Sequence, residues 1–371
     1  MTTCKKCIMD DKNDPDLVLD PQGICNHCHN YEKATGLIPK DEAAKKYFDN
    51  SIAEIKAYGK GKKYDCLIGI SGGVDSTYLT YLAKQNGLRA LLVHCDNGWN
   101  SEISVQNIEK LCAITGYDLY TLVLDWEEFK DIQLSFLKAG VVDIELAYDY
   151  ALIATSFKAA IKHNIKYILS GHNIATEGTY MPKSWRHDKA DIINIKAIHN
   201  QFGKIPFKTF PKFSFIKQRM INRKFEYKTL LNYVKYNKEE VKKIIGKELG
   251  WVDYGQKHYE NVFTRFYQGY ILPEKFKINK RQYHLSVLVQ SGQITREKAL
   301  ELDKLPLYDP EQLKLDKEYV IKKLGFTEKS FDDYMKAAIK KHSDYATVQK
   351  YWDVYFKLIK ILKPFKKILN K

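Results

Sequence analysis

Short apolar runs alternate with helical periodicity between residues 64 and 169. The apolar runs predict four strands, at 64–70, 88–94, 119–124 and 165–169. Apolar residues at helical spacing predict helices between them, at 74–85, 101–115 and 145–163. Strands that alternate with helices are typical of a parallel sheet with right-handed crossovers. We therefore predict an α/β fold.

Polar clusters follow three of these strands. They are SGGVDST at 71–77, HCDN at 94–97 and SGHN at 170–173. Ligands of parallel sheets bind beyond the carboxyl ends of the strands. The three clusters should therefore converge on one active site at that edge.

The pattern changes on both sides of this region. Residues 41–58 predict a polar helix, and beyond about 175 the chain is aromatic, basic and longer-looped. From about 285 it is mostly helical, with predicted helices at 296–303, 319–324, 331–341 and 345–362. We expect a cysteine module at 1–35, an α/β domain with substrate-binding insertions at 36–285, and a helical region at 286–371.

The N-terminal module has paired cysteines with the spacing C-x2-C-x17-C-x2-C. Four thiolates in paired turns suit a tetrahedral Zn²⁺ site of the zinc-ribbon type, which is closed and structural. Two disulfides are the alternative, and a reducing compartment disfavours them. His27 or His29 could replace one cysteine, but the four-sulfur set is favoured. The predicted ligands are Cys4, Cys7, Cys25 and Cys28.

Net charge and hydropathy restrict the binding partners and the cellular location that we expect. The formal net charge is +15 and the pI is about 9.2, which suits nucleic acid, solvated lysine faces or an anionic small molecule. No uncharged apolar run reaches about 18 residues, so no membrane span is expected. The N-terminus lacks the apolar core of a signal peptide, so we expect a cytoplasmic protein.

The C-terminal tail interleaves apolar residues with lysines over 356–369, which is a basic amphipathic pattern. Such a segment could rest on an anionic membrane surface. Pro364 interrupts the pattern, however, and a terminal helix more commonly packs its apolar stripe on the core.

The cluster at 71–77 has the build of a phosphate loop without the usual lysine. Gly72 and Gly73 let the backbone approach a phosphate closely, and a helix N-terminus follows. Ser71, Ser76 and Thr77 add hydroxyl donors. Asp75 would orient Mg²⁺ or the loop. The alternative without a ligand is a glycine-rich turn followed by a capped helix.

Ser71 to Ser76 resembles the S-G-G-x-D-S signature of the PP-loop ATP pyrophosphatases. The resemblance implies an adenine nucleotide alpha-hydrolase-like domain that binds ATP and Mg²⁺ and cleaves between the α- and β-phosphates. Asp96 would be a ribose, adenine-side or magnesium contact, and Gly171, in the third polar cluster, would also contact the nucleotide.

Two further stretches resemble a narrower group. They are GHNIATEG at 171–178, continuing to Asp191, and GWVDYGQKHYEN at 250–261. With the cysteine module, they resemble the N-acetyl sugar amidotransferases of surface-polysaccharide, O-antigen and pseudaminic-type sugar synthesis. The resemblance implies adenylation of an N-acetyl oxygen and replacement of AMP by ammonia, which forms an acetamidino sugar. The ammonia would come from a separate glutaminase with a cyclase-like channel subunit.

The same resemblance suggests roles for individual residues. Lys257 would neutralise phosphate charge, while His258 and Glu260 would shuttle a proton or contact substrate. The candidates for sugar binding, with Trp185 stacking on a ring face, are Glu177, Trp185, Arg186 and Asp191.

A PP-loop enzyme that thiolates tRNA is the alternative, since such enzymes also have zinc-binding cysteine pairs and bind RNA. Thiolation needs sulfur-handling cysteines at the catalytic edge, and only Cys95 is near it. We therefore expect no nucleic-acid partner.

Overall fold

The computed structural model describes residues 2–179, 181–255 and 259–352. The strands are β1 Cys66–Gly69, β2 Ala90–Asp96, β3 Leu119–Val123, β4 Tyr167–Leu169 and β5 Glu226–Lys228. The helices of the first part are α1 Asn26–Gly36, α2 Asp41–Gly59, α3 Val74–Gln85, α4 Glu102–Thr115, α5 Trp126–Ala139, α6 Leu146–Lys162, α7 Ile174–Glu177 and α8 Ile192–Phe202. They are followed by α9 Phe215–Asn222, α10 Lys238–Leu249, α11 Val262–Phe266, α12 Lys280–Gln290, α13 Arg296–Asp303, α14 Pro310–Leu324 and α15 Glu328–Lys336. A π-helical segment, Tyr267–Phe276, continues α11.

The five strands form one parallel sheet in the order β3-β2-β1-β4-β5. The chain builds outward from β1 to β3, then crosses back to add β4 on the other side of β1. The order of the strands therefore reverses between β1 and β4. Ligands of open parallel sheets bind at such a reversal, in the crevice beyond the strand ends. The predicted α/β fold is confirmed.

Helix α3 has the predicted bounds, and α13 also begins and ends as predicted. Strands β1 and β4 are shorter than the apolar runs that predict them. Helix α5 was missed, although Asp125 accepts a hydrogen bond from the amide of Glu128 at its start and Gly140 ends it in the left-handed region. Of the predicted helix at 345–362, only residues up to 352 are described.

Two buried cores cover the two faces of the sheet. One contains Ile68 and Leu92 with side chains from α2, α3 and α10. The other contains Leu67 and Leu91, and it extends to the cysteine module and to α14 and α15. The predicted boundary between 285 and 286 lies inside α12, although the three-part division itself stays a prediction.

The cysteine module packs on α12 and α13. Ile8 is buried with Leu285 and Ala299, and the guanidinium of Arg296 donates to the carbonyl oxygens of Cys7 at 3.0 Å and Cys4 at 3.1 Å. The module is therefore attached to the C-terminal helices by apolar contacts and by hydrogen bonds.

Within the described ranges, no helix combines the length and the apolar character needed to cross a membrane.

Candidate active site

The loop between β1 and α3 needs its first glycine. Gly72 has φ +78°, and a Cβ there would lie 2.6 Å from the carbonyl oxygen of Ser104. The indole Nε1 of Trp251 donates to the Gly72 carbonyl at 2.9 Å, which fixes the peptide. Only glycine adopts this conformation in such a confined place without strain.

The first turn of α3 presents amides to the sheet edge. Gly73 is the N-cap residue and has no side chain to bond them. The hydroxyl of Tyr254 reaches the amide of Val74. Amides at a helix N-terminus, together with the positive end of the helix dipole, favour an anion. The loop therefore has the features of a phosphate site.

Asp75 is held from two directions. Asn173, which follows β4, donates to its Oδ1 at 2.9 Å, and the hydroxyl of Tyr236 donates to the same oxygen. Burial and the adjacent carboxylate raise the pKa of Tyr236, so this hydroxyl keeps its proton. The Asp75 carboxylate thus has a fixed orientation at the strand-order reversal.

A cavity of about 200 Å³ lies over the loop. Acidic side chains and two lysines line it, together with the backbone of the loop and of Gly171. A Cβ on Gly171 would come within 3.0 Å of the Ser76 amide, so the two loops are closely packed. The lining residues are Ser71, Gly73, Val74, Asp75, Ser76, Gly171, Thr176, Glu177, Lys238, Lys242, Asp253, Tyr254, Gly255 and Glu260.

The two lysines that line this cavity were missed by the sequence analysis. Lys238 and Lys242 are one turn apart on α10, which Asn237 caps. Burial opposes the charged form of Lys242, but its ion pair with Asp253, at 2.9 Å, prevails and raises the pKa of the ammonium. Nothing in the sequence distinguished these two from the other lysines of α10.

A second cavity, of about 300 Å³, adjoins the first. Thr176 and Lys238 line both, so the two spaces share a wall. Its leucines supply an apolar surface and its cations supply charge, although Arg265 is paired with Asp316 at 2.6 Å. The other lining residues are Tyr259, Arg265, Gln268, Gly269, Lys280, Arg281, His284, Leu285, Leu288, Leu302, Leu305 and Leu307.

Several predicted contact residues lie at this site. Ser71, Gly73, Asp75, Ser76 and Gly171 line the first cavity. Glu177 and Glu260, which were predicted to contact substrate, also line it, and Oε2 of Glu177 lies 2.5 Å from Nδ1 of His172.

Thr77 and Asp96 have other positions. Thr77 is 1% exposed in the first turn of α3 and does not line the cavity. Asp96 Oδ1 accepts from the amide of Gly98 at 2.8 Å and from Asn100 at 3.0 Å. This carboxylate closes the turn after β2, which accounts for its place at a strand end.

Three of the sugar-binding candidates also lie outside the lining of both cavities. The ring of Trp185 is 1% exposed and its Nε1 donates to the Asn13 carbonyl at 3.2 Å, so no face is open for stacking on a sugar. Asp191 is buried as the N-cap of α8 and accepts from the Asn194 amide at 2.9 Å. Arg186 donates to the Met181 carbonyl. Lys257 and His258 lie outside the described residues.

The four cysteine sulfurs fit a tetrahedral metal ion. All four are buried and lie within 4.8 Å of one another, with Cys4–Cys28 at 3.9 Å and Cys7–Cys25 at 3.6 Å. Zn–S bonds of about 2.3 Å in a tetrahedron separate the sulfurs by about 3.8 Å. His27 instead contacts Asp14, at 2.7 Å, and His29 contacts Asp20. The four-sulfur set could therefore hold the metal.

The parallel sheet and the glycine loop after its first strand define an α/β protein with a candidate phosphate site at the strand-order reversal. Residues 260–360 match the family model described as "LPS biosynthesis protein WbpG-like, C-terminal domain". Residues 260–360 are thus similar to a C-terminal domain of the WbpG-like type.

Among curated proteins, tRNA(Ile)-lysidine synthase of Chlamydia pneumoniae is 40% identical over 76 residues, which are 19% of this chain and 23% of the relative. The enzyme of Chlamydia trachomatis serovar L2 is 39% identical over 72 residues, 19% of this chain and 22% of the relative. The matched stretch thus spans less than a quarter of these relatives.

Two solved structures are also similar. An NMN synthetase from Francisella tularensis aligns with 77% of this chain and 98% of its own, at 17% identity and a TM-score of 0.40. An NH3-dependent NAD synthetase from Campylobacter jejuni aligns over 76% of this chain and 97% of its own length, at 12% identity and a TM-score of 0.35.

Proposed function

We propose that the protein is an ATP-dependent, AMP-forming amidotransferase that converts the N-acetyl group of a sugar into an acetamidino group. The observation that carries the proposal is the shared wall between the phosphate-loop cavity and the second cavity. A nucleotide and an acceptor in adjoining spaces would bring the α-phosphorus and the acceptor oxygen together. The WbpG-like match at 260–360 supports an acceptor from lipopolysaccharide synthesis, because those residues supply most of the second cavity.

The loop residues would hold the departing pyrophosphate. The amides that begin α3 and the hydroxyls of Ser71 and Ser76 donate to phosphate oxygens, and Lys238 and Lys242 add positive charge from α10. Asp75, Glu177 and Glu260 are the carboxylates from which a Mg²⁺ site could be drawn, and the ion would supply charge neutralisation on the phosphates.

The reaction balances in two steps. The amide oxygen of the acceptor attacks the α-phosphorus of ATP, and the bond from that phosphorus to the α,β-bridging oxygen breaks. Pyrophosphate leaves, the amide nitrogen loses its proton, and an O-adenylyl imidate remains. Ammonia then adds to the imidate carbon and AMP leaves with the former amide oxygen, so the product carries nitrogen in its place. Lys257 and His258 remain candidates for charge neutralisation and proton transfer, and Glu260 is the cavity carboxylate nearest to them in sequence.

The ammonia donor and the metal belong to the same proposal. A separate glutaminase with a cyclase-like channel subunit would supply ammonia. Zn²⁺ on the four cysteines would be structural, because all four ligands come from the module and none lines either of the two cavities described above.

The test supplies the purified chain with ATP, Mg²⁺, a nucleotide-linked diacetamido sugar and ¹⁵N-ammonium. We expect AMP and pyrophosphate in equal amounts, and a sugar product that has lost one oxygen and gained one ¹⁵N. Asp75→Asn should abolish both, while Asp49→Asn on the exposed side of α2 should not. Formation of ADP, or turnover that does not depend on ATP, would exclude the proposal.

A parallel reaction supplies tRNA in place of the sugar, because the curated relatives are named tRNA(Ile)-lysidine synthase. AMP release that depends on tRNA and not on the sugar would favour an RNA substrate instead.

A further inference from the structure

The positive charge of the chain is concentrated in two segments. Residues 192–225 contain eight lysines and arginines and no acidic residue. Residues 353–371 contain six lysines and one aspartate. These two segments therefore carry +13 of the formal net charge of +15, so the excess charge is a local property and is not spread over lysine-rich faces.

The first segment includes α9, whose exposed side combines apolar and basic groups. Ile216 is 70% exposed and Met220 is 62% exposed, and they are one helical turn apart. Lys217 and Arg223 are also exposed, while Gln218 and Ile221 face inward. Helical spacing puts Ile216, Met220 and Arg223 on one side.

The described chain ends beside this helix. The rings of Phe215 and Trp352 are 5.3 Å apart, and the guanidinium carbon of Arg219 lies 4.4 Å from the Trp352 ring centroid. Trp352 therefore lies next to α9, and the basic sequence from 353 onward follows it in the chain. The lysines and apolar residues of 356–369 follow within four residues of Trp352.

We propose that the exposed side of α9, which we name the α9 face (Ile216, Lys217, Met220, Arg223 and Lys224), docks on an anionic lipid surface. Exposed aliphatic side chains flanked by cations suit the boundary between headgroups and acyl chains. Each lysine or arginine near an anionic membrane adds attraction that salt weakens. Nucleic acid would use the cations but gain little from exposed isoleucine and methionine, so the apolar pair favours lipid.

The test measures co-sedimentation of the full chain with vesicles of phosphatidylglycerol and phosphatidylethanolamine, and with vesicles of phosphatidylcholine. Binding should require phosphatidylglycerol and weaken as salt rises. Ile216→Ser with Met220→Ser should lower the affinity about tenfold or more, because both apolar insertions are lost. Lys217→Glu with Arg223→Glu should lower it at least about twentyfold, since each removed cation is worth about fivefold.

Matched controls use equally exposed positions elsewhere. Ile114 is 52% exposed and Leu315 is 61% exposed, and serine at both should leave binding unchanged. Glutamate at Lys46 and Lys243 controls for net charge. Circular dichroism of every variant separates lost binding from lost folding.

Three kinds of result would overturn the inference, and the second of them can take two forms. The first is no binding to anionic vesicles at low salt. The second is equal losses in the α9-face and control variants, or RNA binding that depends on Lys217 and Arg223 but not on Ile216 and Met220. The third is a dimer in sedimentation equilibrium that the Ile216→Ser, Met220→Ser variant abolishes, which would assign this face to a second copy of the chain. None of these results depends on the sugar reaction, so the two proposals fail separately.

Discussion

At the scale of single residues, the orientation of Asp75 depends on two hydrogen-bond donors that lie outside its own motif. Asn173 and Tyr236 both donate to one of its oxygens, and they come from the far side of the sheet's strand-order reversal. The glycine loop predicted Asp75, Ser71 and the close backbone approach. Tyr236 could not be predicted, because only the folded sheet brings a tyrosine about 160 residues away to the loop.

Tyr236→Phe should lower kcat about tenfold or more while the fold persists. A hydrogen bond to a charged group is worth about 1.5–3 kcal/mol, and losing it frees the Asp75 carboxylate to turn. Steady-state AMP release measures the effect. Tyr227→Phe on β5, where the ring is 48% exposed, is the matched control and should behave as the parent chain. An unchanged kcat in Tyr236→Phe would mean that Asp75 needs no such support.

Lys238→Gln should raise KM for ATP about tenfold, because the side chain lines both cavities and a charge-assisted contact to phosphate would be lost. Lys243→Gln changes an exposed lysine of the same helix and should have no effect. A rise in the KM of the acceptor with no rise for ATP would assign Lys238 to the second cavity.

His342 predicts a pH dependence of stability. Burial lowers the pKa of this imidazole to about 4, and it is held neutral, since it bonds the Asn194 side-chain oxygen through Nδ1 and accepts the Asp143 amide at Nε2. The unfolded chain, with a histidine pKa near 6.5, binds the proton more readily than the folded chain. The stability that the neutral His342 contributes is therefore complete above about pH 6.5 and is lost as the pH falls toward 4.

The loss associated with His342 should be about 3 kcal/mol at most. Denaturant unfolding at pH 7 and pH 5 measures it. His342→Gln, which keeps an amide at this position, should be less stable at pH 7 but should flatten the difference between the two pH values. If the difference in unfolding free energy between pH 7 and pH 5 is unchanged in this variant, other groups cause the pH dependence.

At the scale of elements, α12 joins the cysteine module to the second cavity. Leu285 packs with Ile8 of the module and also lines the cavity, while Lys280 and Arg281 open the same helix. The cysteine spacing predicted a metal cluster, and the four buried sulfurs are close enough for one. The contact with α12 was not predictable, since no local pattern links two segments about 280 residues apart.

Removal of the metal should therefore affect the acceptor more than ATP. Chelation, or Cys25→Ser, should lower the midpoint of thermal unfolding by several degrees, because metal binding contributes to the folded state only. It should also raise KM for the acceptor, since α12 would lose its support. Cys112→Ser changes a half-buried thiol outside the cluster and is the control. Equal changes in the two KM values would contradict the role given to α12.

The same contrast between local and distant signals explains which elements were predicted. Helix α3 has strong local signals, a glycine turn before it and apolar residues at helical spacing, and its bounds were right. Strand β5 has only three residues, none of them buried, and it pairs with β4 at the edge of the sheet. A strand that short has no periodicity to detect, so its existence depends on the sheet that it joins.

At the scale of the whole molecule, one continuous core crosses the expected domain boundaries. Cys28 of the module, Leu67 of β1 and Phe331 of α15 belong to the same buried cluster. We therefore expect one cooperative unfolding transition for the metal-bound chain, with tryptophan fluorescence and circular dichroism changing together. Two separated transitions would favour the predicted three-part division instead.

The two cavities are lined by largely separate stretches of the chain. Among the described residues, those that line the second cavity come from 259–307 apart from Thr176 and Lys238, whereas those that line the first cavity precede residue 256 apart from Glu260. Under the proposed function, the choice of acceptor and the use of ATP would therefore depend on separate stretches of the sequence. Grafting the equivalent of 259–307 from a homologue should exchange one recipient for another while the nucleotide half keeps its chemistry.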